Sequence, residues 1–513
     1  MKILLTLILL NAALFGQDST VSQAFKPTQI FSRSPLIKVK YPPYPLRAGF
    51  QLIKEANDGD PFAQHELGLR YILKQGFPAD TVKGIYWIMK AVEKNVPPAQ
   101  YNLGIMLNNG VGVDWNPFEA FYNFKKAAEY GMPESQFVYG LYYTDNFVVN
   151  RNYTEAYKWI KRAAEANYEP AKEAMKELES MGVGNTKDSD KNEKQPVRNN
   201  SMLAGESSIL MEQNWQLDFY NFEDEAKDST DDEGEQLKAV LNKDLPDLRK
   251  MLGITKIFNA DLEDTTSIGL IKFAAQSGSP EAMLLIARGY EKGIFFKKNL
   301  VTAAERYLRA YRLGSHKAAE QLFKLMRTGN FFDLLRDGIQ KKNADAMFIW
   351  AGLASIGFDF QLANEQAFEL LQKAAEQNHV QSLIEIGLCY YTGKFVDQDK
   401  EKAFEYFQKA ADLGSREAEV RIAFTKILES TDKESIADQV QFLENATDEG
   451  SVLAETALGF CYETGRGVPK DKARAVSYYR RASQRGSETA YNSLKGMYDT
   501  IRPDDPIFTI YDD

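Results

Sequence analysis

The sequence predicts an all-α fold, a superhelical solenoid of stacked antiparallel helix hairpins in two arrays joined by a partly disordered linker. Two observations predict it. Small and apolar residues recur at a step of 36 residues, and within each step they have helical rather than alternating spacing. With 513 residues, the chain is also too long for one compact core, which favours an elongated array or several domains.

The first 17 residues, MKILLTLILLNAALFGQ, have the layout of a secretory signal. One lysine precedes a run of about a dozen apolar residues that is too short to span a bilayer comfortably. We therefore expect residues 1–17 to be a signal peptide and the protein to be exported, to the periplasm or outside the cell. We expect no stable membrane insertion after its removal. Residues 18–48 contain five prolines and no helical period, so they predict an extended leader.

The first array is expected over residues 49–180. The segments AQHELGLRY (63–71), AQYNLGIML (99–107) and SQFVYGLYY (135–143) start 36 residues apart. Each places a small residue, Leu-Gly or its equivalent, and a bulky residue on one face of a first helix. Turn residues that would end the second helices in the left-handed conformation keep the same step: Gly59, Asn95, Gly131 and Asn167.

Residues 181–236 break the repeat and are expected to form a flexible linker, because they are polar and dense in charge. Within them lies the apolar and aromatic segment SILMEQNWQLDFYNF, residues 208–222. It is expected either to cap the first array or to dock in a groove of this molecule or of a partner.

The second array is expected over residues 237–500, and residues 501–513 form a tail that lies against the last units. Ala346, Ser382, Ala418, Ala454 and Ala490 are 36 residues apart. The step from Ala318 to Ala346 is only 28 residues, so one unit lacks eight residues.

The segment ALGFCYETGRGVPKDKARAVSYYRRASQRGS, residues 457–487, shows one unit in full. Its pattern, with Leu-Gly early, a Gly-x-Gly-Val loop and a small residue late, resembles the Sel1-like repeat family, which is related to tetratricopeptide repeats. The positions that match are Leu458, Gly459, Tyr462, Gly465, Gly467, Val468, Asp471, Ala473, Ala482 and Gly486. The resemblance covers residues 49–180 and 264–500 and implies a role as an adaptor for other proteins.

Cys389 and Cys461 occupy the same position in units two steps apart. Stacked hairpins advance by about 10 Å per unit, so the two Cα atoms should be roughly 20 Å apart, beyond the ~7 Å that a disulfide tolerates. We therefore predict two unbridged thiols that pack as small apolar residues.

The sequence predicts no catalytic residue, no cofactor and no metal site. Gly465 and Gly467 are interpreted as turn residues, because neither the Lys-Ser/Thr of a phosphate loop nor a preceding strand accompanies them. The three histidines lie in distant units, whereas zinc needs several ligands in one small sphere. A net charge of −10 argues against a nucleic-acid partner.

The leading hypothesis is therefore a non-enzymatic scaffold that binds a partner protein or peptide, or a cell-envelope glycan, on the concave face of its repeats. An alternative is an enzyme or regulator acting on cell-envelope polymers, with residues 181–260 completing a cleft. A third is a structural spacer. The residues expected to face a partner form the column just before the Leu-Gly position: Glu66, Asn102, Val138, Glu385, Arg421 and Ala457.

Overall fold

The computed structural model describes residues 49–180, 182–184, 245–255, 266–355, 364–393 and 395–511, with Leu237, Val240 and Lys243. In these residues the regular secondary structure is helical, without strands. The all-α solenoid of paired helices predicted from the sequence is confirmed. The expected signal peptide 1–17, the leader 18–48 and nearly all of the linker 181–236, with its segment 208–222, lie outside the described residues.

The first array consists of eight α-helices that pack on one another in chain order. They are α1 Gly49–Asn57, α2 Pro61–Leu73, α3 Thr81–Glu93, α4 Pro97–Asn109, α5 Pro117–Glu129, α6 Pro133–Leu141, α7 Tyr153–Glu165 and α8 Glu169–Ser180.

The described part of the second array has fifteen α-helices, most of them paired in the same way. They are α9 Leu245–Met251, α10 Ser267–Gln276, α11 Pro280–Lys292, α12 Leu300–Arg312, α13 His316–Met326, α14 Phe331–Gln340, α15 Ala344–Ser355, α16 Asn364–Ala375, α17 Val380–Thr392, α18 Lys400–Asp412, α19 Arg416–Glu429, α20 Lys433–Asp448, α21 Val452–Thr464, α22 Lys472–Gln484 and α23 Glu488–Thr500. A 3₁₀ turn, Pro506–Phe508, follows in the tail.

The turn residues between units have the backbone conformation that the sequence predicts. Asn95, Asn167 and Asn378 have φ near +60°, the left-handed region in which a helix commonly ends. The short unit has shorter helices, since α13 and α14 have 11 and 10 residues where α2 and α3 of a full unit have 13. The loop between its helices is also shorter, with residues 327–330 in place of a loop such as 74–80.

Short polar side chains fix where the helices begin. Most second helices follow an Asp or Asn whose side chain accepts a hydrogen bond from the first turn, as Asp80 does from Lys83 N. Several first helices follow a serine that does the same, as Ser451 does from Ala454 N. Each such cap stabilises a helix by about 1 kcal/mol.

The end of the second array shares a hydrophobic core with the first array, whereas the rest of the second array has cores of its own. The ring of Tyr498 in α23 lies 5.1 Å from that of Trp115, and 5.2 Å from that of Phe147. Arg480 in α22 donates to the buried Asp145 at 2.9 Å. The tail was expected against the last units of its own array, yet Phe508 is fully buried against the first array.

The second array curves so tightly that units far apart in sequence meet. Gly314 approaches Gly486 so closely that a Cβ atom on Gly314 would overlap the Gly486 carbonyl. Next to this contact, Arg485 forms two hydrogen bonds to Glu281, at 2.9 and 3.0 Å. The inner face of the second array is therefore partly closed by its own helices.

Candidate binding cavity in the second array

A cavity of about 580 Å³ lies among several units of the second array. Its wall carries apolar groups such as Ile286, Tyr290 and Phe296, together with the charged groups described below. Ligand sites in proteins commonly have volumes of about 300–1,000 Å³ and combine apolar walls with a few polar groups. The cavity has the size and mixed lining of such a site.

Next to the cavity lies a group of largely buried charges, which we call the inner charge cluster: Glu305, Arg306, Arg309, Arg312, Glu385, Glu417 and Arg421. Glu305, Arg306 and Arg309 line the cavity itself. The cluster's four guanidinium groups oppose three carboxylates, and a fourth carboxylate, Asp345, lines the same cavity and interacts with Arg306, so these charges balance. The exposed Lys272 adds one further cation at the cavity wall.

Two polar side chains at the cavity have incomplete partners among the described residues. Gln381 is 3% exposed, and neither its Oε1 nor its Nε2 has a hydrogen-bond partner there. Arg309 Nε likewise has no hydrogen-bond partner there, and its distance to Glu305 Oε1 is 3.9 Å. Burial, and secondarily Arg306, lowers the pKa of Arg309 to about 10.

The pKa values of two carboxyl groups, one on the cavity wall and one in the cluster, are shifted in opposite directions. Burial tends to raise the pKa of Asp345, but hydrogen bonds from His379 and Thr302 outweigh it, and the pKa is lowered. The nearest approach of Asp345 to His379 Nε2 is 3.4 Å. In the cluster, burial raises the pKa of Glu385 to about 7 although Arg312 opposes the rise.

Three first helices begin at the cavity wall, since Ala344, Val380 and the residues just before Arg416 border this space. The N-terminal end of a helix carries a partial positive charge. These helix ends add to the positive charge that Lys272 contributes at the cavity wall.

The six residues expected to contact a partner are mostly buried in their own chain. Glu66 forms an ion pair with Arg70 at 2.8 Å. Asn102 bonds His65 in the preceding unit at 2.8 Å. Val138, Arg421 and Ala457 are buried, and Glu385 is 13% exposed at its side chain and paired with Arg312. Of the six, Glu385 borders a pocket, and it and Arg421 belong to the inner charge cluster. That these residues bind a partner stays a prediction.

The sequence analysis did not find the residues that line the cavity. The available signal was the series Arg306, Arg309 and Arg312, which places three guanidinium groups along one helix. The repeat pattern makes α12 a second helix, and second helices were not expected to line the concave face, so this signal was missed.

Both cysteines are buried and neither forms a disulfide, as the sequence predicts. Burial raises the pKa of the Cys461 thiol to about 12, so this sulfur is a poor nucleophile at neutral pH. His65 is buried, and its pKa is lowered to about 3. Among the described residues no three His, Cys, Asp or Glu side chains are grouped so that they could hold a metal ion. No helix in the described ranges is both long and apolar enough to cross a bilayer.

The Sel1 repeat family model matches seven segments of the chain: residues 61–96, 97–131, 133–168, 280–315, 359–379, 380–415 and 452–487. A solved Sel1 repeat protein from Oxalobacter formigenes is 32% identical over 25% of this chain and 96% of its own, with a TM-score of 0.24. The chain belongs to the Sel1 repeat family. Sel1 repeat proteins generally act as non-catalytic scaffolds for protein interactions.

A second solved structure is a protective antigen present in uropathogenic Escherichia coli strains, which displays an SLR fold. It is 21% identical to this Sel1 repeat protein, over 89% of this chain and 83% of its own, with a TM-score of 0.31. No curated protein matches the chain.

Proposed function

We propose that this Sel1 repeat protein is an exported scaffold whose second array binds an acidic segment of a partner protein in the cavity. The observation that carries the proposal is the pair of incompletely partnered polar side chains at the cavity wall, Arg309 and Gln381. A carboxylate placed in the cavity would accept a charge-assisted hydrogen bond from the Arg309 guanidinium.

The other polar groups favour the same ligand. Gln381 Nε2 can donate to a carboxylate, while its Oε1 can accept from a backbone N–H of the same segment. Lys272 adds a further cation at the wall, and Tyr290 and Phe296, whose rings are stacked 4.4 Å apart, add an apolar surface. A peptide that carries both carboxylates and apolar side chains fits this lining better than a neutral glycan does.

The test uses a fluorescent peptide with four consecutive glutamates and its glutamine counterpart, titrated into the full chain. Arg309→Met and Gln381→Leu should each weaken binding of the glutamate peptide by about 10- to 150-fold. This equals the 1.5–3 kcal/mol that a hydrogen bond to a charged group contributes. Arg336→Met is the matched control, because Arg336 is an exposed arginine outside the cavity.

Equal binding of the two peptides would contradict the proposal, and so would equal losses in Arg309→Met and Arg336→Met. Since Gln381→Leu keeps every charge, its effect separates recognition in the cavity from general attraction to a basic surface.

Export is tested separately by placing the chain with and without residues 1–17 in the same cells. Secretion or periplasmic recovery of the longer form, shortened by about 17 residues, supports it. Retention of both forms in the cytoplasm contradicts it.

A further inference from the structure

The second helix of the first unit, α3, carries an exposed apolar face. Val82 is 78% exposed, Tyr86 54% and Met89 49%. Their spacing of four and three residues places them on one side of the helix. We call these three residues the outer stripe.

The next unit keeps two of these three positions, with Lys125 in place of Met89, and there the two are covered. One repeat step after Val82 and Tyr86 are Phe118 and Tyr122 of α5. The ring of Phe508, from the chain's own tail, lies 4.9 Å from the ring of Phe118 and 5.3 Å from that of Tyr122.

The tail segment Asp-Pro-Ile-Phe, residues 505–508, also makes a polar contact with α5. The Tyr122 hydroxyl donates a hydrogen bond to the Asp505 carboxylate, and this bond lowers the pKa of Asp505. A carboxylate and, three residues later, a buried aromatic ring are thus held by one helix face of the repeat, whereas Pro506 between them is exposed.

The third unit lacks this face. Two repeat steps after Val82 and Tyr86 are Thr154 and Lys158, which are both exposed. In the first array the pair of a bulky apolar residue and a tyrosine therefore occurs in the first two units. In the second of these it holds an extended segment.

We propose that the outer stripe binds an extended segment of a partner protein with the chemistry of this tail: a carboxylate residue followed two and three positions later by bulky apolar residues. The Tyr86 hydroxyl is placed to donate to the carboxylate, as Tyr122 does. Lys90, whose Nζ lies 6.0 Å from the centre of the Tyr86 ring, is also close by, although its charge is already paired with Glu93 at 2.9 Å. The surface continues an interface that the chain already forms one unit further along. The tail of a second copy is not the occupant, because each copy holds its tail in its own second unit. This surface is independent of the cavity in the second array.

The test measures binding of a labelled peptide, Arg-Pro-Asp-Asp-Pro-Ile-Phe-Thr-Ile-Tyr, which copies residues 502–511, to the full chain. The double variant Val82→Thr/Tyr86→Lys gives the first unit the residues that the third unit carries at these positions, so the helix is expected to form normally. We expect it to weaken binding at least tenfold. Tyr130→Ser is the matched control, since it removes a ring that is 60% exposed elsewhere in the first array, and should leave binding unchanged. A peptide with alanine in place of the phenylalanine should bind at least tenfold more weakly.

Three results would overturn the proposal. In the first, the peptide does not bind the full chain. In the second, it binds the double variant with the same affinity as the unchanged chain. In the third, it binds only after residues 501–513 are deleted, which would show that it competes for the second unit instead. If the double variant loses its helical circular dichroism signal, Tyr86→Ser alone decides, because Tyr86 is more than half exposed and its loss leaves the core intact.

Discussion

The buried contact between Arg485 and Glu281 allows a direct test of the closure of the second array. The two residues are 204 positions apart, and each side chain is only 5% exposed. Arg485 also approaches Glu455 at 3.3 Å and donates to the Gly450 carbonyl at 2.7 Å. Arg485→Leu would leave two buried carboxylates without this guanidinium.

Removing one partner of a buried ion pair costs about 3–5 kcal/mol, because the remaining charge stays away from water. We therefore expect Arg485→Leu to lower the free energy of unfolding by about that amount in equilibrium urea denaturation. The matched control is Arg336→Leu, whose ion pair with Asp333 is more than 60% exposed on both sides and should be worth about 1 kcal/mol or less.

A double variant separates the charge effect from the loss of packing. Replacing Glu281 by Met in the Arg485→Leu chain removes one uncompensated carboxylate, so part of the lost stability should return. If Arg485→Leu lowers the free energy of unfolding no more than Arg336→Leu does, the closure does not depend on this pair. The same conclusion follows if the double variant loses more stability than its two single changes together.

Three further predictions follow from burial. Since burial raises the pKa of Glu385 from its ordinary 4.5 to about 7, the folded state binds more protons than the unfolded state between these pH values. Its stability should then fall as pH rises from 4.5 to 7. The free energy of unfolding, measured by urea denaturation at pH 5 and pH 8, should fall in the unchanged protein but not in Glu385→Gln. An equal fall in both proteins would contradict this prediction. Cys461 should react with a thiol reagent only after unfolding, whereas fast labelling of the native chain would show an accessible sulfur. Phe508→Ala removes a fully buried ring, a change that costs about 3–5 kcal/mol in a core, so a protease should cleave the tail faster. Tyr511→Ala, at an exposed ring, should leave the cleavage rate unchanged.

Most of the local fold could be predicted from the sequence. The 36-residue step places the turn at Asn95 and the shortened unit after Ala318, because each unit repeats the same local contacts. Those contacts lie between neighbouring helices, so periodicity reports them directly.

The contacts that close the molecule could not be predicted in this way. A repeat gives the order of the helices, but a small change in rotation per unit decides whether Glu281 meets Arg485. The cavity has the same origin, because Arg309, Asp345 and Gln381 come from three units. The docking of Phe508 on the first array depends on one short segment that belongs to no repeat.

The bond between Tyr122 and Asp505 joins residues 383 positions apart. At a synthesis rate of about 5–20 residues per second, the ribosome needs about 20–80 s to reach the second residue after making the first. During that interval Phe118 and its neighbours have no cover from the C-terminal end. The nascent chain therefore passes through a stage in which this apolar surface is exposed, until the segment with Tyr498 and Phe508 has been synthesised.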